Sequence, residues 1–307
     1  MVKRKIFIII CFFAFLVNPA YVKKLSYAHE KPIIVLAAFG TSPKGMVVYK
    51  LFEKELRQHL PGHKIYWALT SDKIRKRVNA YYAQKGIPKR IYSLREVLAK
   101  LEAEGHRQII VQPLLLLPGS EYQKILNICR NFSNLEIQVG KPLFYYWENV
   151  FEVLEIISKH FYTPEEGFNL VVGHGVNAAS SSANNISMAL QWELEQRYKN
   201  VRLATLEGVP STEVGLKRAI EYPKKKVRLI PLLYSAGYHV THDLMGKNSS
   251  GEEKSWREIL EKAGKEVDIV TTKVDGKVYY KTLGFYPEIN KIFIRNILLM
   301  YEKMSSH

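Results

Sequence analysis

The chain has 307 residues, with 45 Lys and Arg against 29 Asp and Glu for a net charge of +16, and it is 47% hydrophobic and 24% charged. That apolar share excludes a disordered chain. The one strongly apolar run, residues 6–17, is too short for a helix to cross a bilayer, and two cysteines, Cys11 and Cys129, exclude a disulfide-framed scaffold.

The N-terminus reads as an address. Lys3, Arg4 and Lys5 precede the apolar run, and the small residues Ser26 and Ala28 close a polar stretch. This is the layout of a secretory signal peptide, residues 1–28. Cleavage is expected after Ala28, with Ala20 as the alternative; an uncleaved interfacial anchor is the competing reading. Removal takes away Lys3, Arg4, Lys5, Lys23 and Lys24 and no acids, lowering the net charge from +16 to +11 and leaving Cys129 as the only cysteine. The expectation is an exported, periplasmic protein with no stable membrane span after processing. A positive balance suits nucleic acid, an anionic membrane or an acidic small substrate. No nucleic-acid-binding signature occurs, and Pro223-Lys224-Lys225-Lys226 reads as a solvated loop. An acidic ligand is therefore expected and a nucleic acid is not.

From Pro32 onward strands and helices alternate. The apolar run 33–39 suits a strand covered on both faces. A helix pattern over 45–60 and a strand at 64–69 follow. Ser71 and Ser93 are helix caps, the second for a helix running to about Gly105 with Leu94, Val97, Leu98 and Leu101 on one face. A strand at 108–117, a helix at 120–130, a strand at 135–139 and a helix at 148–160 complete one half. Thr163-Pro164-Glu165-Glu166-Gly167 is a turn-rich linker. The pattern restarts with a strand at 168–172, a helix at 187–198, a strand at 201–206 and a helix at 212–221. A strand at 227–233, a flexible loop at 247–251, a helix at 255–263, a strand at 267–272 and a helix at 286–303 end the chain. This alternation predicts an α/β fold built on parallel sheets.

The halves look like copies. Leu36-Ala37-Ala38-Phe39-Gly40-Thr41 lies on 170–175 with one residue inserted, so that Phe39 faces His174. Gln112-Pro113 matches Ile230-Pro231, and two residues beyond the matched segment Glu121 meets His239. Ala68-Leu69-Thr70 aligns with Thr205-Leu206-Glu207.

Ligands of open parallel sheets bind beyond the carboxyl ends of the strands. His174, Glu207 and His239 are expected there in the second half, with Thr70 and Glu121 in the first. Two imidazoles and a carboxylate suit a first-row divalent metal and can remove protons near neutral pH. Plainer readings exist: a tight turn around a structural His174, a shared helical face for His239 and His242, a solvated strand end at Glu207. The coincidence of all three at equivalent strand ends favours a site. No nucleotide loop and no Gly-x-Ser-x-Gly elbow occur, and Ser180-Ser181-Ser182 reads as a polar loop.

Several segments together resemble the anaerobic-type sirohydrochlorin cobaltochelatases. They are Phe39-Gly40-Thr41-Ser42, Thr70-Ser71-Asp72-Lys73, Pro118-Gly119-Ser120-Glu121-Tyr122, Gly173-His174-Gly175, Leu206-Glu207-Gly208-Val209-Pro210 and Ala236-Gly237-Tyr238-His239, with Asp243-Leu244-Met245-Gly246 and Glu252-Glu253-Lys254-Ser255-Trp256 beyond them. The likeness spans about residues 32–300.

The resemblance implies a class II chelatase fold: two similar Rossmann-like parallel-sheet domains, 29–163 and 164–285, with a cleft between them. The second would carry the metal site, and a C-terminal helix (286–307) would pack back on the first. It implies insertion of Co²⁺ into sirohydrochlorin with release of two protons, a step of anaerobic cobalamin synthesis. Fe²⁺ or Ni²⁺ are alternative metals, and no organic cofactor is implied. His174 would be metal ligand and proton acceptor, Glu207 and His239 the other ligands, and Glu121 a further catalytic carboxylate. Three departures stand out: no second His in 176–179, Leu115 where relatives often carry His, and His242 as an extra candidate ligand. The alternative reading is a periplasmic metal or tetrapyrrole binding protein that kept the fold. A homo-oligomer is left open.

Overall fold

Six apolar residues in a row make the first strand, β1 (Ile33–Ala38), and all six are buried. Such a strand must be covered on both faces, and side-chain alternation decides by what. Ile34 and Leu36 face a large core shared with the second half; Ile33, Val35 and Ala37 face a separate core on the other side. The computed structural model describes residues 31–247 and 254–306. The expected signal peptide and most of the expected 247–251 loop lie outside the described residues.

The first half continues with α1 (Val47–His59), β2 (Ile65–Leu69), α2 (Asp72–Gln84), α3 (Leu94–Ala103), β3 (Gln108–Pro113), α4 (Ser120–Arg130), β4 (Glu136–Val139) and α5 (Trp147–Ser158). Ser71 caps α2 by accepting the Ile74 N–H, and Ser93 and Glu96 close a reciprocal capping box on α3. The second half has β5 (Gly167–Gly175), α6 (Ala183–Arg197), β6 (Val201–Glu207), α7 (Thr212–Glu221), β7 (Lys226–Leu232), α8 (Trp256–Lys262) and β8 (Glu266–Ile269). A π-helical turn, His239–Leu244, stands between β7 and α8. A hairpin of β9 (Thr271–Val274) and β10 (Lys277–Tyr280) leads to α9 (Pro287–Ser305).

Two four-stranded sheets result, ordered β2-β1-β3-β4 and β6-β5-β7-β8, with every pairing within them parallel. The identical order bears out the expected pair of α/β copies. Register refines the correspondence. Ala37 pairs with Pro113 and Val172 with Pro231, so Phe39 does occupy the position of His174. On the other side Ala37 pairs with Ala68 and Val172 with Ala204. Thr70 therefore corresponds to Leu206 and Ser71 to Glu207, one residue off the expected alignment.

The shared core lies between the two sheets and takes in α1, α5 and α9; Phe52 of α1 meets Phe293 of α9 edge to face at 6.2 Å. α9 packs on β3, α1 and α5. A buried polar pin crosses this layer. The Tyr234 hydroxyl donates to Asn290 Oδ1 (3.0 Å), and Asn290 Nδ2 donates to Glu55 Oε1 (3.1 Å).

Three elements depart from expectation. β3 stops at Pro113, because the carbonyls of Leu115 and Leu116 turn to the backbone N–H groups of Leu143 and Phe144. β5 runs on through Gly175, which places His174 inside the strand, not in a turn after it. The hairpin was not expected at all; its Asp275-Gly276 turn has φ of 47° and 77°, the left-handed pair that a tight two-residue hairpin requires.

Candidate metal centre

The site is built at the carboxyl ends of β5, β6 and β7. Neighbouring pairs in the sheet, Gly173 with Leu232 and Gly175 with Glu207, bring these ends together. Gly175 sits at φ +77°, and a Cβ there would overlap the Glu207 carbonyl oxygen. Only glycine fits, and it holds the His174 backbone hard against β6.

His174 and His239 meet. Their ring centroids are 4.9 Å apart at 87°, edge to face. His174 Nδ1 lies 3.1 Å from the Gly175 carbonyl oxygen. With the proton on Nδ1 donated there, Nε2 carries a free lone pair. The π turn supplies the other imidazole. Val240 and Leu244 anchor the turn in the core, which leaves His239, His242 and Asp243 at its polar edge. His239 Nδ1 stands 2.6 Å from Asp243 Oδ2, and His242 Nδ1 stands 2.8 Å from Asp243 Oδ1. One carboxylate thus orients two imidazoles, one oxygen each. A carboxylate behind a histidine fixes its tautomer and ring orientation, the usual support of a metal-binding imidazole. His242 also stacks on Tyr238, with centroids 4.3 Å apart.

Glu207 is a neighbour by strand position, paired with Gly175 one residue beyond His174. Its Oε2 accepts from Asn177 Nδ2 at 3.1 Å. Among the described residues no group of three His, Cys, Asp or Glu side chains is close enough to hold one ion. The expected ligand trio is thus a histidine pair with its carboxylate held aside by Asn177.

The first half contributes polar atoms without partners. Glu121 lies in the first turn of α4, where the helix N-terminus favours a carboxylate. Its Oε2 is buried with no hydrogen-bond partner, as are the Oγ1 atoms of Thr70 and Thr41. The residue before that helix, Gly119, lies where an added Cβ would be 3.7 Å from Ala183 at the start of α6, so α4 opens toward the second half. Tyr49 of α1 reaches the loops after β1 and β7, bonding Ser235 and Gly40, and burial pushes its hydroxyl up to about 12. It is a neutral brace. Cys129 is a buried free thiol, pushed up to about 12 by desolvation, and so is inert toward metal and oxidant.

Sequence reasoning missed the orienting role of Asp243 and the tether at Asn177. The i, i+4 spacing of His239 and Asp243 on a helical turn is the signal that reveals the first. Asn177 leaves no such signal.

Comparison with known proteins gives the family and the fold. The family model described as cobalt chelatase (CbiK) matches residues 32–302. The sirohydrochlorin cobaltochelatase CbiKC of Nitratidesulfovibrio vulgaris is 27% identical over 238 residues, covering 75% of this chain and 80% of the relative. The sirohydrochlorin cobaltochelatase of Salmonella typhimurium is 22% identical over 275 residues, covering 87% and 95%. In fold, the chain resembles SirB from Bacillus subtilis with Fe³⁺, at a TM-score of 0.58 and 13% identity over 91% of this chain and 98% of that one. It also resembles the sirohydrochlorin chelatase SirB from Bacillus subtilis subspecies spizizenii in complex with cobalt, at a TM-score of 0.56 and 12% identity over 89% and 97%.

Proposed function

The chain belongs to the CbiK family of cobalt chelatases, and on that premise we propose that it inserts Co²⁺ into sirohydrochlorin, the substrate named for its relatives. The observation that carries the residue-level reading is the His174–His239 pair with Asp243 behind it.

Metal insertion exchanges two pyrrole N–H protons for one divalent ion. Co²⁺ is a substrate here, and the two protons leave with no change of oxidation state. The chain must therefore loosen the hydration of the ion, present it to one face of the macrocycle and accept protons. His174 and His239 each offer an Nε2 lone pair when Nδ1 is bonded as described. Either can hold the ion or take a proton. Asp243 orients His239 and, through its second oxygen, steadies His242. Glu207 is the third ligand once its carboxylate leaves Asn177. Glu121, with an unpartnered oxygen in the first turn of α4, is the carboxylate contributed by the first half. Holding ion and macrocycle face to face removes much of the entropic part of the barrier. The net positive charge draws a polycarboxylate substrate to the protein. The same donors suit Fe²⁺ or Ni²⁺, so availability decides among them.

The basic residues and apolar run of 1–28 support work outside the cytoplasm. Among the described residues no helix is long and apolar enough to cross a membrane.

The test is anaerobic absorbance of the chain lacking residues 1–28, mixed with sirohydrochlorin and Co²⁺. We expect rapid conversion to the cobalt complex, lost in His174→Ala and in His239→Ala. Conversion no faster than the protein-free control, with stoichiometric binding, would replace this reading with that of a carrier.

A further inference from the structure

Among the described residues the hairpin of β9 and β10 has no counterpart in the first half. Together with loops from both halves it encloses a cavity of about 230 Å³. Lys44 and Val47 wall it from the start of α1, Thr241 from the π turn, and Val278, Tyr279 and Phe285 from the hairpin side. Thr241 lies two residues beyond His239 on one turn, so the cavity and the imidazole pair share a scaffold. The ring of Tyr279 leans on that of Phe285, with centroids 5.7 Å apart.

The volume is below the roughly 300–1,000 Å³ of sites that engulf a whole drug-sized ligand, and a macrocycle does not fit. One side arm does. The walls combine apolar surface for methylenes with one ammonium for an anion. Among the described residues no carboxylate pairs with Lys44. Behind the wall, the Thr41 hydroxyl is buried at 3% exposure without a partner. A Cβ on Gly45 would run into it and would come within 2.8 Å of the Ala236 carbonyl oxygen. The two halves are therefore in contact at this wall, and the cavity is fixed with respect to both.

We infer that this cavity seats one carboxylate-bearing arm of the anionic tetrapyrrole, with Lys44 as its counter-charge. The inference rests on the chelatase reading and adds a substrate-binding residue to it. Anchoring one arm next to the His239 turn strengthens the hold on the ring beside the imidazole pair. Arms on the far side of the macrocycle remain free for other contacts.

The experiment compares the wild-type chain with Lys44→Ala and Lys44→Arg in cobalt insertion, over a range of tetrapyrrole and salt concentrations. A fully esterified tetrapyrrole, whose arms carry no charge, is run in parallel, and binding of the metal-free ring is followed by absorbance. Lys44→Ala should raise KM for the acid form roughly fivefold, about the effect of losing one partly exposed charge pair. It should leave kcat nearly unchanged and flatten the salt dependence of KM; Lys44→Arg should restore both. On the ester, Lys44→Ala should have no effect. An unchanged KM and salt dependence in Lys44→Ala would overturn the inference while leaving the chelatase reading intact. So would an equal rise on acid and ester, which marks a merely structural role. A wild-type chain that neither binds nor metallates the tetrapyrrole would overturn both.

Discussion

Asp243→Asn isolates what the shared carboxylate does. In the wild type each oxygen serves one imidazole, at 2.6 Å to His239 and 2.8 Å to His242. Hydrogen bonds to a charged group are worth about 1.5–3 kcal/mol, against about 0.5–1.5 kcal/mol between neutral groups. The amide keeps one acceptor oxygen and turns an NH₂ toward the other ring. If the oxygen stays on His239, that imidazole loses about 1–1.5 kcal/mol of support by difference. His242 then faces a donor and must release its own Nδ1 proton or rotate off Tyr238. Loss of such an outer carboxylate typically costs 10- to 100-fold in metal affinity or activity, or roughly 1.4–2.7 kcal/mol. Val240 and Leu244 stay in the core, so the fold should survive. The assay is cobalt insertion under anaerobic conditions, with Co²⁺ affinity measured by calorimetry on the same samples and thermal unfolding as the control. We expect kcat or metal affinity to fall by at least tenfold with the melting temperature little changed. Asp243→Ala, which removes both acceptors, should fall further. Asp243→Asn and Asp243→Ala within twofold of wild type in both measurements would refute the argument that this carboxylate orients the site.

Two further predictions concern stability. His160 is held below its ordinary pKa, first by burial and then by Lys281 and Arg228 beside it. The fold thus favours the neutral ring, so the unfolded chain binds more protons below about pH 6.5 and stability falls as pH falls through the folded value. Stability measured by denaturant between pH 7.5 and 5 should decline, and His160→Gln should flatten that decline; an identical pH profile in the variant would count against the assignment. Gly175→Ala must adopt φ +77° and displace the Glu207 carbonyl. We expect a loss of about 3 kcal/mol or more, a melting temperature lower by roughly 6–12 °C. Gly173→Ala, which meets only ordinary contacts from Thr205 at 3.6 Å, should be tolerated, and equal effects of the two would defeat the geometric reading.

Most of the fold could be read from the chain because its signals are local and repeated. The run 33–38 has one buried reading, the Ser71 and Ser93 caps mark helix starts, and the copies recur in the same order. What escaped depends on contacts far apart in sequence. The end of β3 is set by hydrogen bonds to Leu143 and Phe144, nearly thirty residues on. Register between β5 and β6 is set by the fit of Gly175 against Glu207, and aligning Thr70 with Glu207 by residue likeness slips by one. The hairpin is a different case: an Asp-Gly pair flanked by alternating residues is a strong local signal. It is easily passed over because its strands are polar and largely exposed, with Val278 at 64% exposure. At the site, the histidines are visible as isolated residues at strand ends. The meeting of their rings, the tether on Glu207 and the double duty of Asp243 come from the π turn and the sheet register.

The register also explains why the proposed ligands fall in one copy. In the first half the places of His174 and Glu207 are taken by Phe39 and Ser71. Phe39 has no donor for a metal, and the Ser71 hydroxyl is already committed to capping α2. A duplicated scaffold with two metal sites would compete with itself for one ion, and a macrocycle can take metal from one face at a time. On the proposed reading the metal ligands fall in the second copy, and the first carries Glu121, Lys44 and Thr41, groups that can take up a proton or meet an anionic side arm. The contact of Gly45 with Ala236 then acquires a meaning beyond packing. On the proposed reading it holds the copy that binds the ion at a fixed distance from the copy that seats the anion. A Cβ at Gly45 would meet the Thr41 hydroxyl and the Ala236 carbonyl oxygen, so Gly45→Ala should lower both the melting temperature and cobalt turnover.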